Sequence, residues 1–187
     1  MYKIKNNVKS EEIINRSKFI THTYYVKDII ECNNIINSIK NEYKDATHNC
    51  YAYKINNLKR FNDDKEPNGT AGMPILNVIE TNDLNHILII VTRYFGGVKL
   101  GASNLLRTYV SCANNAVKLS GLEEEKQEEK IKIIFDYSNV NNVNYILKDY
   151  NITYKEYNDD ITYEFIYETK KYPKELDNYI KEKELIN

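Results

Sequence analysis

The longest aliphatic run in the chain, Ile87-Leu88-Ile89-Ile90-Val91, constrains the fold more than any other feature. Successive side chains of a strand point to opposite faces, so a strand that is apolar at every position leaves no face for water. The run predicts a central strand covered on both faces. It is far too short to cross a bilayer. It continues through Thr92-Arg93-Tyr94-Phe95 into Gly96-Gly97, which read as a turn.

Segments of matching pattern surround this strand. Asp28 and Glu31 resemble the two ends of a capping box, and Ile29, Cys32, Ile36, Ile39 and Tyr43 follow at steps of three and four, which predicts an amphipathic helix. His48 to Ile55 alternates as a strand. After Gly101, one side of the sequence carries Leu105, Leu106, Tyr109, Val110, Ala113, Ala116 and Val117, and the other carries Arg107, Ser111, Asn114, Asn115 and Lys118. This predicts a second helix packed on the sheet. Beyond residue 130 the order is strand (Ile131 to Tyr137), helix (Val140, Val143, Leu147), strand (Ile152 to Tyr157), turn (Asn158-Asp159-Asp160) and strand (Ile161 to Tyr167). A last helix opens at Pro173 and buries Leu176 with Tyr179 or Ile180. The order βαββα suggests a small ferredoxin-like domain without a clear final strand.

The sequence has 187 residues and a net charge of -1. Glu123-Glu124-Glu125-Lys126-Gln127-Glu128-Glu129-Lys130 reads as a solvated linker. The expected layout is therefore a domain at 1–121, a linker at 122–130 and a second domain at 131–187. Residues 1–121 hold 16 basic and 11 acidic groups, about +5, and residues 122–187 hold 10 and 16, about -6. Overall neutrality excludes indiscriminate coating of nucleic acid but leaves room for a local basic site on the first domain.

Cys32, Cys50 and Cys112 are widely separated and lack Cys-x-x-Cys spacing, so they read as reduced, buried thiols rather than a disulfide framework or a zinc site. The first residues lack the apolar core of a signal peptide. The expectation is a soluble cytoplasmic protein with no membrane segment, no metal and no cofactor.

Five of the six glycines, Gly69, Gly72, Gly96, Gly97 and Gly101, fall within about thirty residues. The polar stretch Asn56 to Gly72 reads as one loop of unusual length, which points to function or mobility. In the segment Thr92 to Arg107 a buried strand ends, glycines permit a tight turn, and Ser103 or Asn104 caps a helix. The free amides at such a helix start attract anions. With only four arginines in the chain, each is informative. The candidate anion or nucleic-acid site comprises Arg16, Lys18, Arg60, Thr70, Arg93, Gly96, Gly97, Lys99, Gly101, Ser103 and Arg107. The candidates for acid-base or metal chemistry are His48, Asp63, Asp64 and Glu66. The competing readings are a solvated turn for the carboxylates and a hydrogen-bonded structural residue for His48.

Arg16-Ser17-Lys18-Phe19, Ala46 to Tyr53, Asp63 to Pro74 and Val91 to Gly101 together resemble the YigZ/Impact family. The resemblance implies an α+β protein of two domains. The N-terminal α/β domain would be like the second domain of a small-subunit ribosomal protein, and the C-terminal domain would be similar to a ferredoxin-like domain of elongation factor G. It also implies a role in regulating translation. The expected function is binding of RNA, the ribosome or a ribosome-associated protein through the basic glycine-rich site, rather than catalysis. Two alternatives are an enzyme acting on a small phosphorylated metabolite and a pure protein-interaction module. The family commonly has two glycines before Leu105 where this chain has Ser103-Asn104.

Overall fold

The computed structural model describes residues 1–126 and 128–186, which divide into two compact units, Met1–Glu125 and Lys126–Asn187. In the first unit β1 (Tyr2–Ile4), β2 (Val8–Ile14) and β3 (Ser17–Tyr25) lead into α1 (Ile29–Glu42). A hairpin of β4 (His48–Ile55) and β5 (Leu58–Asn62) precedes α2 (Gly72–Thr81). Then come β6 (Ile87–Tyr94), α3 (Ala102–Ser120) and β7 (Leu122–Glu124).

Five strands form an antiparallel sheet in the order β2-β3-β6-β4-β5. The aliphatic run lies in β6 at its centre, where only Tyr94 is less than fully buried. On one face Cys32, Ile36 and Ile39 of α1 pack against Ile20, Tyr53, Leu88 and Ile90. On the other, Ile75 and Ile79 of α2 and Leu105, Tyr109 and Ala113 of α3 cover Phe19, Ala52, Ile87, Ile89 and Val91. Each such buried aliphatic side chain stabilises the fold by about 1.5–3 kcal/mol. Asp28 caps α1 by accepting from the amides of Ile30 and Glu31, both at 2.9 Å, and Glu31 accepts from the Lys27 amide at 2.8 Å.

The stretch expected as one long polar loop is in part strand. Asn56, at φ 53°, turns the chain back so that β5 pairs with β4 from Tyr51↔Asn62 to Ile55↔Leu58. Every residue of β5 is exposed, as suits an edge strand, and this hides it from a hydrophobicity pattern.

The expected linker is also partly ordered. β7 pairs antiparallel with β1 in the register Tyr2↔Glu124, Lys3↔Glu123 and Ile4↔Leu122, supported by a Lys3–Glu123 ion pair at 3.3 Å. Gln127 lies outside the described residues. Three glutamates thus belong to the first unit, which holds 16 basic and 14 acidic groups, about +2, against 10 and 13, about -3, in the second. The charge contrast between the units is smaller than a boundary at residue 121 implies.

In the second unit β8 (Glu128–Phe135) is followed by α4 (Val140–Ile146), β9 (Asn151–Tyr157), β10 (Ile161–Glu168), a short 3-10 turn (Lys174–Asn178) and β11 (Glu182–Ile186). The sheet order is β11-β8-β10-β9, fully antiparallel between neighbours. This is the ferredoxin-like arrangement, and β11 supplies the final strand that the sequence did not announce. β11 is again an edge strand in which charged residues alternate and only Ile186 is partly buried. The helix expected after Pro173 is the 3-10 turn, and Leu176 within it is fully buried.

Candidate functional site

Antiparallel pairing collects the sequence candidates at one end of the first sheet. Lys18 faces Tyr94, and His48 faces Arg93. The β2–β3 turn, the start of β4 and the end of β6 therefore meet at that end, and the Asp63–Ala71 loop follows β5 back to it.

Arg93 does not reach outward to an anion. Residues of one parity along β6 point to one face, and Arg93 shares its parity with Ile89 and Val91. Its guanidinium is buried between the rings of Phe19 and Phe95, 5.5 Å from each centroid, and Nη1 donates to Glu66 Oε1 at 2.7 Å. The hydroxyl of Tyr109 donates to the same oxygen at 2.8 Å, and Arg93 Nη2 donates to Ser17 Oγ at 3.4 Å. Burial, with the neighbouring Cys50 and Glu66, pushes the Tyr109 hydroxyl far up, so it stays protonated as a donor. His48 Nδ1 lies 2.8 Å from the Asp64 carbonyl oxygen, an acceptor only, so this nitrogen carries a proton; Nε2 lies 3.6 Å from Glu66 Oε2.

The carboxylates are likewise committed. Asp63 accepts from the amides of Gly69 (2.9 Å), Ala71 (3.0 Å) and Gly72 (2.7 Å), closing the loop and capping α2, whose own N-cap residue Ala71 has no side-chain acceptor. Asp64 accepts from the Asn49 amide at 2.6 Å. The three acids point to separate partners. Among the described residues no group of three or more His, Cys, Asp or Glu side chains is placed to share a metal ion. The Thr70 hydroxyl donates to the Pro67 carbonyl at 2.6 Å and is buried within its own loop. All three cysteines are free and buried, and desolvation pushes the Cys32 and Cys112 thiols up to about 12, which removes thiolate chemistry at neutral pH.

The glycine segment is built on contact and curvature. A Cβ on Gly96 would lie 1.9 Å from the Arg16 carbonyl oxygen, so the β2–β3 turn and the loop after β6 pack backbone to backbone. Gly97 and Gly101 sit at φ 82° and 78°, the left-handed region where glycine is unstrained. Gly101 is the N-cap of α3. Ser103 lies inside the first turn rather than at the cap, and Asn104 Nδ2 donates to the Leu100 carbonyl at 3.1 Å.

Arg16 (φ 65°), Lys99 and Arg107 are exposed and form no ion pair among the described residues. Asn115 donates to Glu12 at 3.3 Å and the Lys5 amide to the Gly121 carbonyl at 3.0 Å, so α3 runs antiparallel to β2. Its first turns, with Ser103 and Arg107, thus lie at the Arg16 end. Lys18 is paired with Glu11 at 2.8 Å. Arg60 is on β5, the opposite edge of the sheet, across from Tyr53 on the α1 face. The four arginines do not share one face. Ser17, Asn49 and Tyr109, which complete the buried network, were not candidates. Tyr109 read as one more core residue of α3, and its hydroxyl was the available signal.

Residues 15–117 match the model of the Impact N-terminal domain. The chain belongs to the IMPACT family. The IMPACT family member YvyE of Bacillus subtilis (strain 168) is 34% identical over 174 residues, covering 90% of this chain and 80% of the relative. YigZ of Escherichia coli (strain K12) is 32% identical over 112 residues, 57% of this chain and 55% of the relative. A crystal structure described as that of a hypothetical protein superposes with a TM-score of 0.70 at 23% identity, covering 99% of this chain and 95% of that one, and shows the fold. The IMPACT match spans the whole network, from the Arg16 turn to Tyr109. The YvyE likeness extends the IMPACT assignment into the second unit.

Proposed function

We propose that this IMPACT-family chain is a translation-associated regulatory protein of the cytoplasm. Its first unit would engage the ribosome or a ribosome-associated partner through the surface around Gly96–Gly101. One observation carries the reading: residues 84–122 contain no acidic side chain, and within them Lys99 and Arg107 are exposed and, among the described residues, without an ion pair beside the Arg16 turn. Phe95, Val98 and Leu106 are exposed in the same segment at 45%, 39% and 40%. A cationic surface with apolar side chains set into it suits a macromolecular contact, the cations steering and the apolar groups holding. The buried Glu66–Arg93 pair supports this reading as scaffold, because it fixes the strand end from which the loop springs. The enzyme alternative draws no support from the acids, since Asp63, Asp64 and Glu66 are each engaged in holding the fold.

The test is co-sedimentation of the full chain with ribosomes from the native cell, with and without nuclease. Wild type is compared with Lys99→Glu/Arg107→Glu, both positions being exposed. Retention that weakens with salt and is lost in the double variant at unchanged melting temperature is expected. Nuclease-sensitive retention identifies RNA as the contact, and nuclease-resistant retention identifies protein. Equal retention of wild type and variant overturns the assignment of this surface. Among the described residues no helix is long and apolar enough to cross a membrane.

A further inference from the structure

The ferredoxin-like unit covers only one face of its sheet. Val143, Leu147 and Leu176 pack on Ile131, Ile133, Phe135, Ile161, Tyr163 and Phe165, all from one face of β8 and β10. The pairing registers specify the opposite face row by row. One row reads Ile186, Lys130, Ile166, Asn151; the next reads Glu184, Lys132, Glu164, Tyr154; the third reads Glu182, Ile134, Thr162, Glu156. Glu128 and Glu168 pair at the end of the same face. Among the described residues no helix of this unit packs on it.

The face therefore carries six carboxylates against two lysines, about four negative charges net, with Ile134, Ile166 and Ile186 half-buried among them and Tyr154 exposed. Lys130 pairs with Glu164 at 2.5 Å, and Glu168 pairs with Lys171 at 2.8 Å and Lys126 at 3.8 Å. Glu156, Glu182 and Glu184 form no ion pair among the described residues, and a shallow groove is lined by Lys132, Ile134, Glu182, Lys183 and Glu184. Open four-stranded sheets of this topology bind single-stranded RNA in other proteins, through aromatic residues that stack on bases. Here the charge has the wrong sign for a polyanion, because each phosphate would meet unpaired carboxylates.

We propose that the open face of this sheet is a docking surface for a basic amphipathic segment of a partner protein, rich in lysine or arginine with aliphatic residues between. The carboxylates on the two outer strands would receive the cations, and Ile134, Ile166 and Ile186 would receive the aliphatic side chains. Charge complementarity selects this occupant over RNA. The surface lies on the second unit and is independent of the loop surface proposed above.

The experiment uses the full chain, isotopically labelled at isoleucine δ-methyl groups, and a fluorescein-labelled synthetic peptide alternating lysine and leucine. The peptide is expected to bind with salt-sensitive affinity and to shift the methyl resonances of Ile134, Ile166 and Ile186, leaving Ile131, Ile133 and Ile161 of the covered face in place. Glu182→Gln/Glu184→Gln, on an exposed edge strand, should weaken binding on the order of tenfold. Asp149→Asn/Glu175→Gln changes the charge equally away from this face and should leave binding unchanged. Absence of peptide binding, equal weakening in both variants, or shifts of the same three methyl groups by an oligouridylate of equal length would overturn the proposal.

Discussion

Arg93 Nη1 and Glu66 Oε1 meet at 2.7 Å with side-chain exposures of 6% and 3%, which makes this pair the one full charge neutralisation inside the first hydrophobic layer among the described residues. Removing one partner leaves the other charged and dry. Arg93→Ala and Glu66→Ala should each lower unfolding free energy by about 3–5 kcal/mol. The double variant should lose clearly less than the sum, because neither charge is then stranded. Urea denaturation of the four proteins checks this.

Gly96 and Gly97 are adjacent but differ in what they tolerate. Gly96→Ala puts a methyl group against the Arg16 carbonyl and must separate two backbones, at a cost of about 3 kcal/mol. At Gly97 nothing lies within 4 Å of an added Cβ, so Gly97→Ala meets only the left-handed backbone penalty of about 1–2 kcal/mol. Thermal melts of the two variants should differ in that order.

Asp63 holds three amides that the helix and its loop cannot satisfy themselves. Asp63→Ala should destabilise the chain by about 1–2 kcal/mol. It should also selectively raise hydrogen exchange at Gly69, Ala71 and Gly72, while the amides of α1 stay as protected as in wild type.

His22 lies under α1 beside Tyr24 and Tyr43, with Lys9 and Glu42 as the nearby charges. Burial, assisted by Lys9, holds its pKa below the ordinary 6.5. The unfolded chain therefore takes up this proton more readily than the native one. Stability should fall as pH drops below about 6.5 toward the depressed native value, and His22→Gln should flatten that part of the profile. Denaturant midpoints at a series of pH values read this directly.

How far the fold could be read depended on whether a residue's partner was local. The β6 run and the Asp28 cap of α1 carry their reasons within a few residues, and the two-faced sheet follows from them. α2 begins at Gly72, the last residue of the stretch that reads as a loop, and its cap is Asp63, nine residues upstream and across that loop. β5, β7 and β11 are edge strands made of exposed residues, so no hydrophobic period marks them. Arg93 looked like an anion ligand because chain neighbours do not reveal a buried partner 27 positions away. Its parity with Ile89 and Val91 was the signal that pointed inward.

The pairing of Tyr2–Ile4 with Leu122–Glu124 has a mechanical and a biosynthetic consequence. The ends of the first unit are hydrogen-bonded side by side, the Glu125 amide reaching the Met1 carbonyl at 3.0 Å. Tension applied between them would unzip this ribbon one rung at a time, well before the five-stranded sheet bears load. During synthesis β1 emerges before the rest of its unit and must wait for the unit's last residues to find its antiparallel partner. A fragment cut at residue 121 would strip that strand of β7 and leave it only its bridge from Tyr2 to Leu84, whereas one cut after residue 125 would be a closed module with adjoining ends, suited to permutation or to insertion into another protein's loop.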